Sequence, residues 1–264
     1  MDGKNMLLNC TKVNAGYGGA PVIKEISFSL EAGAMLCIAG PNGSGKSTLL
    51  KALAAMVPYQ GTVMLNGREA RALKRRELGR HIALLSQMPQ VYFPYTVYDT
   101  VALARYAYAG GVFKTITKQD EEIIRRVLAE LELDTMSNKM LDELSGGQLQ
   151  RVYLARTIAQ DPDIILLDEP TNHLDLKYQI ELLRYLSIWV KKGQKAVAGV
   201  LHDLNLALAF FNEVILMRDG CAVLQGTAKA LFTGNNLKDI YEIDIQEFML
   251  SSLKNWKPEN TAYD

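Results

Sequence analysis

The sequence predicts an α/β fold in which a strand–helix core is interrupted by an inserted lobe made of helices. Three observations carry this. A short apolar run at 34–39 meets the glycine-rich run Gly40-Pro41-Asn42-Gly43-Ser44-Gly45-Lys46-Ser47-Thr48, and a helical pattern follows. From 97 to about 160 the periodicity is helical and nearly free of strand signals. After Asp161-Pro162 strands and helices alternate again, at 164–167, 179–191, 196–201 and 204–211.

The elements follow in order. Val22-Ile23-Lys24-Glu25-Ile26-Ser27-Phe28-Ser29-Leu30 alternates apolar and polar residues, the pattern of a half-buried strand. Ala34-Met35-Leu36-Cys37-Ile38-Ala39 is continuously apolar, as a strand buried on both faces is. Residues 49–57 read as a helix. Residues 61–67 read as a strand ending in an Asn66-Gly67 turn. Arg68, Arg71, Lys74, Arg75, Arg76 and Arg80 form a basic stretch, and Glu69 and Glu77 inside it mark a solvated helix face. Residues 81–87 are strand-like and lead to Met88-Pro89. In 118–133, Asp120, Glu121 and Glu122 place negative charge in a first helical turn, and Ile123, Ile124, Val127, Leu128 and Leu131 make one apolar stripe. The aromatics Tyr92, Phe93, Tyr95, Tyr98, Tyr106 and Tyr108 suit either packing at the root of the helical lobe or a groove for a short helix of another subunit. The stretch 233–264 is polar, carries Pro258 and shows no motif.

Composition narrows the function classes. Lys and Arg number 29, Asp and Glu 29, for a formal net charge of +0, which removes the electrostatic case for nucleic acid as a main partner. Apolar stretches such as 206–211 fall far short of the roughly 18 residues of a spanning helix. Met1-Asp2-Gly3-Lys4-Asn5 has no apolar leader segment, so a membrane role is expected through a separate subunit. The 3 cysteines, Cys10, Cys37 and Cys221, are widely spaced and form no metal-ligand pattern. Cys10 and Cys37 lie in apolar, strand-like surroundings, so buried thiols in a reducing, cytosolic compartment are expected.

The glycine-rich run fits G-x-x-x-x-G-K-[ST], a loop whose backbone N–H groups wrap nucleotide phosphates. The strand–loop–helix order aims the positive end of a helix at them. Gly43 and Gly45 permit close backbone approach, Lys46 reaches the β- and γ-phosphates, and Ser47 is placed to ligate Mg²⁺. Further along come Leu144-Ser145-Gly146-Gly147-Gln148, then Ile164-Ile165-Leu166-Leu167-Asp168-Glu169-Pro170, then His202 after an apolar strand.

That order resembles the ATP-binding cassette of ABC transporters, over nearly the whole chain. The resemblance implies a P-loop NTPase core, an inserted α-helical subdomain and an antiparallel β subdomain. On this division 1–88 and 161–240 form the ATPase core, 89–160 the helical lobe, and 241–264 a tail. It also implies roles. Asp168 joins Ser47 on Mg²⁺, with Gln87 sensing both the metal and the attacking water. Glu169 orients and deprotonates that water, and His202 hydrogen-bonds the γ-phosphate. Tyr17 stacks on adenine. Gly40, Pro41, Asn42, Ser44 and Thr48 complete the phosphate loop. Ser145, Gly146, Gly147 and Gln148 open a helix far from their own P-loop. The family's arrangement resolves this through a head-to-tail homodimer that sandwiches two ATP molecules in composite sites. Asn172-His173-Leu174-Asp175 resembles the loop that crosses that interface. Around Gln87-Met88-Pro89-Gln90, Phe93-Pro94-Tyr95-Thr96-Val97 and His202-Asp203-Leu204-Asn205-Leu206-Ala207 the chain looks like cassettes importing iron–siderophore complexes, haem or cobalamin. The implied partners are membrane permease subunits and, through them, an extracytoplasmic substrate-binding protein, with the chain peripheral on the cytoplasmic side. An exporter cassette, or a soluble ABC ATPase acting on ribosomes or DNA, is the competing expectation.

Overall fold

The computed structural model describes residues 5–86, 94–108, 116–170 and 175–254. Strands β1 (Met6–Ala15) and β2 (Ile23–Glu31) pair antiparallel. Their inward residues, among them Leu8, Val13, Ile26, Phe28 and Leu30, are buried, while Asn9, Thr11, Lys24 and Ser27 face water. β3 (Met35–Ala39) is buried along its whole length and feeds α1 (Lys46–Leu53). β4 (Tyr59–Leu65) turns through Asn66 and Gly67 into the two-residue β5 (Arg68–Glu69), closing an antiparallel sheet of order β2-β1-β4-β5.

The chain then runs through α2 (Arg75–His81) and β6 (Ile82–Ser86) into helices α3 (Val97–Ala102), α4 (Lys118–Glu130) and α5 (Gly146–Ala159). β7 (Ile164–Asp168), α6 (Leu176–Gly193), β8 (Ala196–Val200), α7 (Leu204–Phe210) and β9 (Glu213–Arg218) restore the strand–helix alternation. β10 (Cys221–Thr227) and the short helices α8 (Ala228–Leu231), α9 (Gly234–Tyr241) and α10 (Ile245–Lys254) follow. The second sheet has the order β10-β9-β3-β8-β7-β6, and every pair but β10–β9 is parallel.

Period-two alternation in this sheet feeds two cores. Cys37, Ile165, Leu167, Val197 and Leu216 face the helices of the lobe, in a cluster continuous with Val101, Ile124, Leu128 and Val152. Leu36, Ile38, Leu166, Ala198 and Ile215 face α1 and the antiparallel sheet. Helix α1, with Leu49, Leu50 and Leu53 fully buried, is thus packed within the cluster that joins the two sheets. Among the described residues no helix is long and apolar enough to cross a membrane.

Several elements differ from the sequence expectation. The helix after the P-loop covers Lys46–Leu53 instead of 49–57, because Ala55 takes a left-handed φ of 49° and closes the last turn. β9 and β10 form a hairpin through the two-residue Asp219-Gly220 turn, both residues at positive φ, a strand pair that the sequence expectation did not include. The stretch beyond 233 is not structureless as far as Lys254: Leu237, Ile240 and Tyr241, at helical spacing, dock α9 onto the core. The basic stretch is more than a solvated face. Arg76 and Arg80 donate to the carbonyl of Ala107, at 3.1 and 3.2 Å, bracing the helical lobe.

Asp120 does more than complement a helix dipole. It caps α4, accepting from the Thr117 backbone N–H at 3.0 Å and the Thr117 hydroxyl at 2.7 Å. Its other oxygen accepts from Arg105 Nε at 2.8 Å, and both side chains are 7% exposed. Arg105 in turn donates to the Ala159 carbonyl at the end of α5. Of the aromatics, Tyr98 packs on the core and Tyr108 lies between the Arg80 and Arg105 guanidinium groups, while Tyr95 and Tyr106 are exposed. Tyr92 and Phe93 lie outside the described residues.

Candidate functional site

In an open parallel sheet the carboxyl ends of the strands are where ligands bind. Register makes those ends level here: Ser86 pairs with Asp168, Asp168 with Val200, and Val200 with Ile38. The residues that follow β3, β7 and β8 therefore emerge side by side. They are the P-loop, Glu169 and His202.

The P-loop begins under steric compulsion. Gly40 has φ +151°, and a Cβ there would lie 2.1 Å from the Met217 carbonyl oxygen. Gly43, at φ +81°, borders open space. Lys46 is buried, and its Nζ donates to the carbonyls of Gly40 and Pro41, both at 2.8 Å. Burial pulls its ammonium pKa below the usual lysine range, opposed by the nearby Glu169 and Asp168 carboxylates. Ser44 Oγ is buried without a partner. A buried ammonium held only by carbonyls, an unsatisfied hydroxyl and the first N–H groups of α1 all await an anion. Pro41, Asn42 and Gly45 complete the loop, and Thr48 is buried within α1.

Ser47 Oγ donates to Asp168 Oδ1 at 2.7 Å, so a hydroxyl and a carboxylate from different elements converge beside the P-loop. Among the described residues no cluster of three or more His, Cys, Asp or Glu side chains forms. Two protein oxygens next to a phosphate cradle fit Mg²⁺, which keeps several waters and takes its remaining ligands from substrate phosphates.

Glu169 has a left-handed φ of 53°, a strain of about 1–3 kcal/mol for a non-glycine residue. The turn carries its carboxylate off the strand line to His202, whose Nε2 donates to Glu169 Oε1 at 2.8 Å. An ionised carboxylate only accepts, so this bond fixes Nε2 as the protonated nitrogen. Tyr17 stands exposed in the loop before β2, with the Lys51 ammonium of α1 5.9 Å from its ring centre. Gln87 lies outside the described residues.

Ser145, Gly146, Gly147 and Gln148 open α5. Ser145 is the N-cap, and Gln148 Oε1 accepts from the Ser145 N–H at 2.9 Å, a reciprocal capping box. Gly146 borders open space, whereas a Cβ on Gly147 would strike the Tyr178 ring of α6 at 2.7 Å. Asp175 caps α6 through its backbone only and is exposed. Two residues that carry no motif join this framework. Gln150 Nε2 donates to the Pro170 carbonyl at 3.0 Å, tying α5 to the loop just after Glu169. Tyr241, at the end of α9, packs on the core cluster that contains Cys37 of β3, the strand that leads into the P-loop.

Residues 23–172 match the family described as ABC transporter. The chain is 37% identical over 235 residues to the "Probable siderophore transport system ATP-binding protein YusV" of Bacillus subtilis (strain 168), spanning 89% of this chain and 85% of that one. It is 32% identical over 258 residues to the "Iron(3+)-hydroxamate import ATP-binding protein FhuC" of the same organism, spanning 97% and 95%. In fold it resembles the ADP conformation of MJ1267, an ATP-binding cassette of an ABC transporter, with a TM-score of 0.80 at 22% identity, covering 90% of this chain and 98% of that one.

Proposed function

This chain belongs to the ABC transporter family and is an ATP-hydrolysing cassette of it, and on that premise we propose that it powers import of an iron–siderophore complex, or a haem- or cobalamin-type one, through a separate membrane permease. The observation that carries the reading is the convergence, at level strand ends, of the Lys46 cradle, the Ser47–Asp168 pair and the Glu169–His202 pair. Phosphoryl transfer needs mainly positioning and charge neutralisation, and these groups supply both.

In this mechanism the N–H groups of 43–48 and the Lys46 ammonium hold the β- and γ-phosphates. Ser47 and Asp168, with Gln87, hold Mg²⁺, which when bound neutralises charge on the phosphate oxygens. Glu169 orients the attacking water and takes its proton as the oxygen bonds to phosphorus and the bond to ADP breaks. The His202 Nε2–H that aims the Glu169 carboxylate turns to donate to the γ-phosphate when ATP is bound. Tyr17 offers a flat face to adenine.

The opening of α5 at Ser145, Gly146, Gly147 and Gln148 serves the nucleotide of a second copy, and Asp175 lies at that seam. ATP thus closes a homodimer with two composite sites, and hydrolysis reopens it. Opening and closing move the permease, and through it an extracytoplasmic binding protein delivers cargo. The chain works at the cytoplasmic face of the membrane. A helical lobe at 89–160 set in an ATPase core at 1–88 and 161–240, with a C-terminal tail at 241–264, is the division of labour this mechanism uses.

The test is Glu169→Gln in Mg²⁺ and ATP beside wild type. Turnover should fall at least about a hundredfold, and the variant should elute as an ATP-dependent dimer. A variant that hydrolyses normally refutes the role of Glu169.

A further inference from the structure

Glu169 is under two opposed demands. Its φ of 53° is left-handed, yet the proline that follows pushes the residue before it toward extended backbone. Strained backbone of this kind persists only where the surroundings over-determine it. On the near side β7 supplies the hold: Asp168 is in register with Ser86 and Val200, and its carboxylate accepts from Ser47 Oγ at 2.7 Å. On the far side the hold comes from α5. Pro170 is buried, and its carbonyl accepts from Gln150 Nε2 at 3.0 Å. Gln150 is 5% exposed, so water does not compete for that amide. The donor also stands on a stiff base. Gln150 lies in the second turn of α5, and Val152, Leu154 and Ala155 of that helix are buried in the cluster shared with Val101, Ile124 and Leu128. One turn earlier on the same face, Gly147 lies so close to the Tyr178 ring of α6 that a Cβ would be 2.7 Å from it. The first two turns of α5 therefore grip the chain on both sides of the link from β7 to α6, at Pro170 and at Tyr178.

We propose that Gln150 is a positioning residue of the ATPase centre, its amide holding the Pro170 carbonyl so that Glu169 keeps the left-handed turn that presents its carboxylate. The inference rests on the ATPase reading given above. Gln150 acts through the backbone. A displaced Pro170 carbonyl tilts the chain next to Glu169, and with it the carboxylate that His202 Nε2 meets at 2.8 Å. A misplacement of about 1 Å at a reacting group can cost about a hundredfold in rate. The phosphate cradle is tied independently, Lys46 to the Gly40 and Pro41 carbonyls and Ser47 to Asp168. Loss of the Gln150 tie therefore slows the chemistry and spares nucleotide capture. The same bond has a second end. α5 opens with Ser145, Gly146 and Gly147, the surface assigned above to the nucleotide of a second copy, so a shift of α5 reaches Glu169 through one side chain.

The experiment is Gln150→Met, which keeps the length and apolar stem of the side chain and removes the donor. Steady-state ATPase assays in saturating Mg²⁺ should show kcat lowered about tenfold, with the apparent KM for ATP changed less than about twofold. Gln150→Glu has the same shape but, when ionised, only accepts, and should lose at least as much. An unchanged kcat in both variants overturns the proposal. So does a lowered melting temperature with kcat unmoved, which would leave Gln150 a packing role alone. The route is read by combination with Glu169→Gln, following the residual turnover with radiolabelled ATP. There Gln150→Met should cost less than about twofold, because both changes act through one carboxylate; a full tenfold further fall overturns the route through Glu169. A wild type unable to turn over ATP removes the ATPase reading and the proposal with it. Turnover in wild type with Gln150→Met unaffected removes the proposal alone.

Discussion

Asp120→Ala should be among the most damaging single changes outside the ATP site. The substitution removes the acceptor of Arg105 Nε and strips the capping box of α4 in one step. Arg105 cannot retreat to solvent: its side chain is 7% exposed, stacked on Tyr108 and bonded to the Ala159 carbonyl. Leaving one member of a buried pair alone costs about 3–5 kcal/mol, and losing the cap adds about 1 kcal/mol, so about 4–6 kcal/mol is expected. That is a large part of a typical total of about 5–15 kcal/mol. Urea unfolding followed by circular dichroism at pH 7 measures it. The double variant Arg105→Met, Asp120→Leu removes both charges and should recover most of the loss. A loss below about 1 kcal/mol for Asp120→Ala would refute the reasoning, since it would mean that water or another side chain already screens Arg105. The acid limb gives a further check. Burial raises the Asp120 pKa, but the Thr117 hydroxyl and Arg105 outweigh it and hold the carboxyl below the usual carboxylate range. A lowered folded-state pKa gives stability that is complete above the unfolded value and is lost as pH falls through the folded one. The gap between wild type and Asp120→Asn should therefore close only in strong acid, below the ordinary carboxylate range.

Gly147→Ala should destabilise the fold by about 1–3 kcal/mol in urea unfolding, through overpacking against the Tyr178 ring. Adding Tyr178→Ala should restore a substantial part, and no restoration would show that the ring is not what excludes the methyl group. The thiols should separate in a disulfide-exchange assay with native protein. Cys221 is exposed and should react within minutes, whereas Cys10 and Cys37 are buried, with burial pushing both thiols up, Cys37 to about 12. Prompt titration of more than one thiol equivalent would contradict that packing.

Much of this was legible from residue order. A continuous apolar run before a glycine-rich loop, and another ending in two carboxylates, mark strands buried on both faces and the ends where chemistry gathers. What stayed hidden depends on contacts between distant residues. Asp120 looks like any acid in a first helical turn, and only Arg105, fifteen residues away on another element, makes it a buried ion. The left-handed backbone at Glu169 has no glycine or asparagine to announce it. Tyr241 lies in α9, whose three apolar residues span barely more than one helical turn, too little periodicity to stand out. Gln150 is buried and its neighbour Gln148 half-buried, a difference set only by which face of α5 each occupies.

The place of β3 between β8 and β9 has a consequence for the chain as it is being made. The P-loop strand leaves the ribosome early, but its first neighbour begins at Ala196, about 160 residues later, and its second at Glu213. At about 5–20 residues per second the strand waits about 8–30 s with both edges open. β1, β2 and β4 need no such delay, because their partners lie within residues 6–69. The antiparallel sheet can therefore form while translation continues, offering α1 and β3 an apolar surface to lie against. The nascent chain would carry an intact P-loop sequence through about 160 further residues and acquire a nucleotide site only when β8 and β9 close on either side of β3.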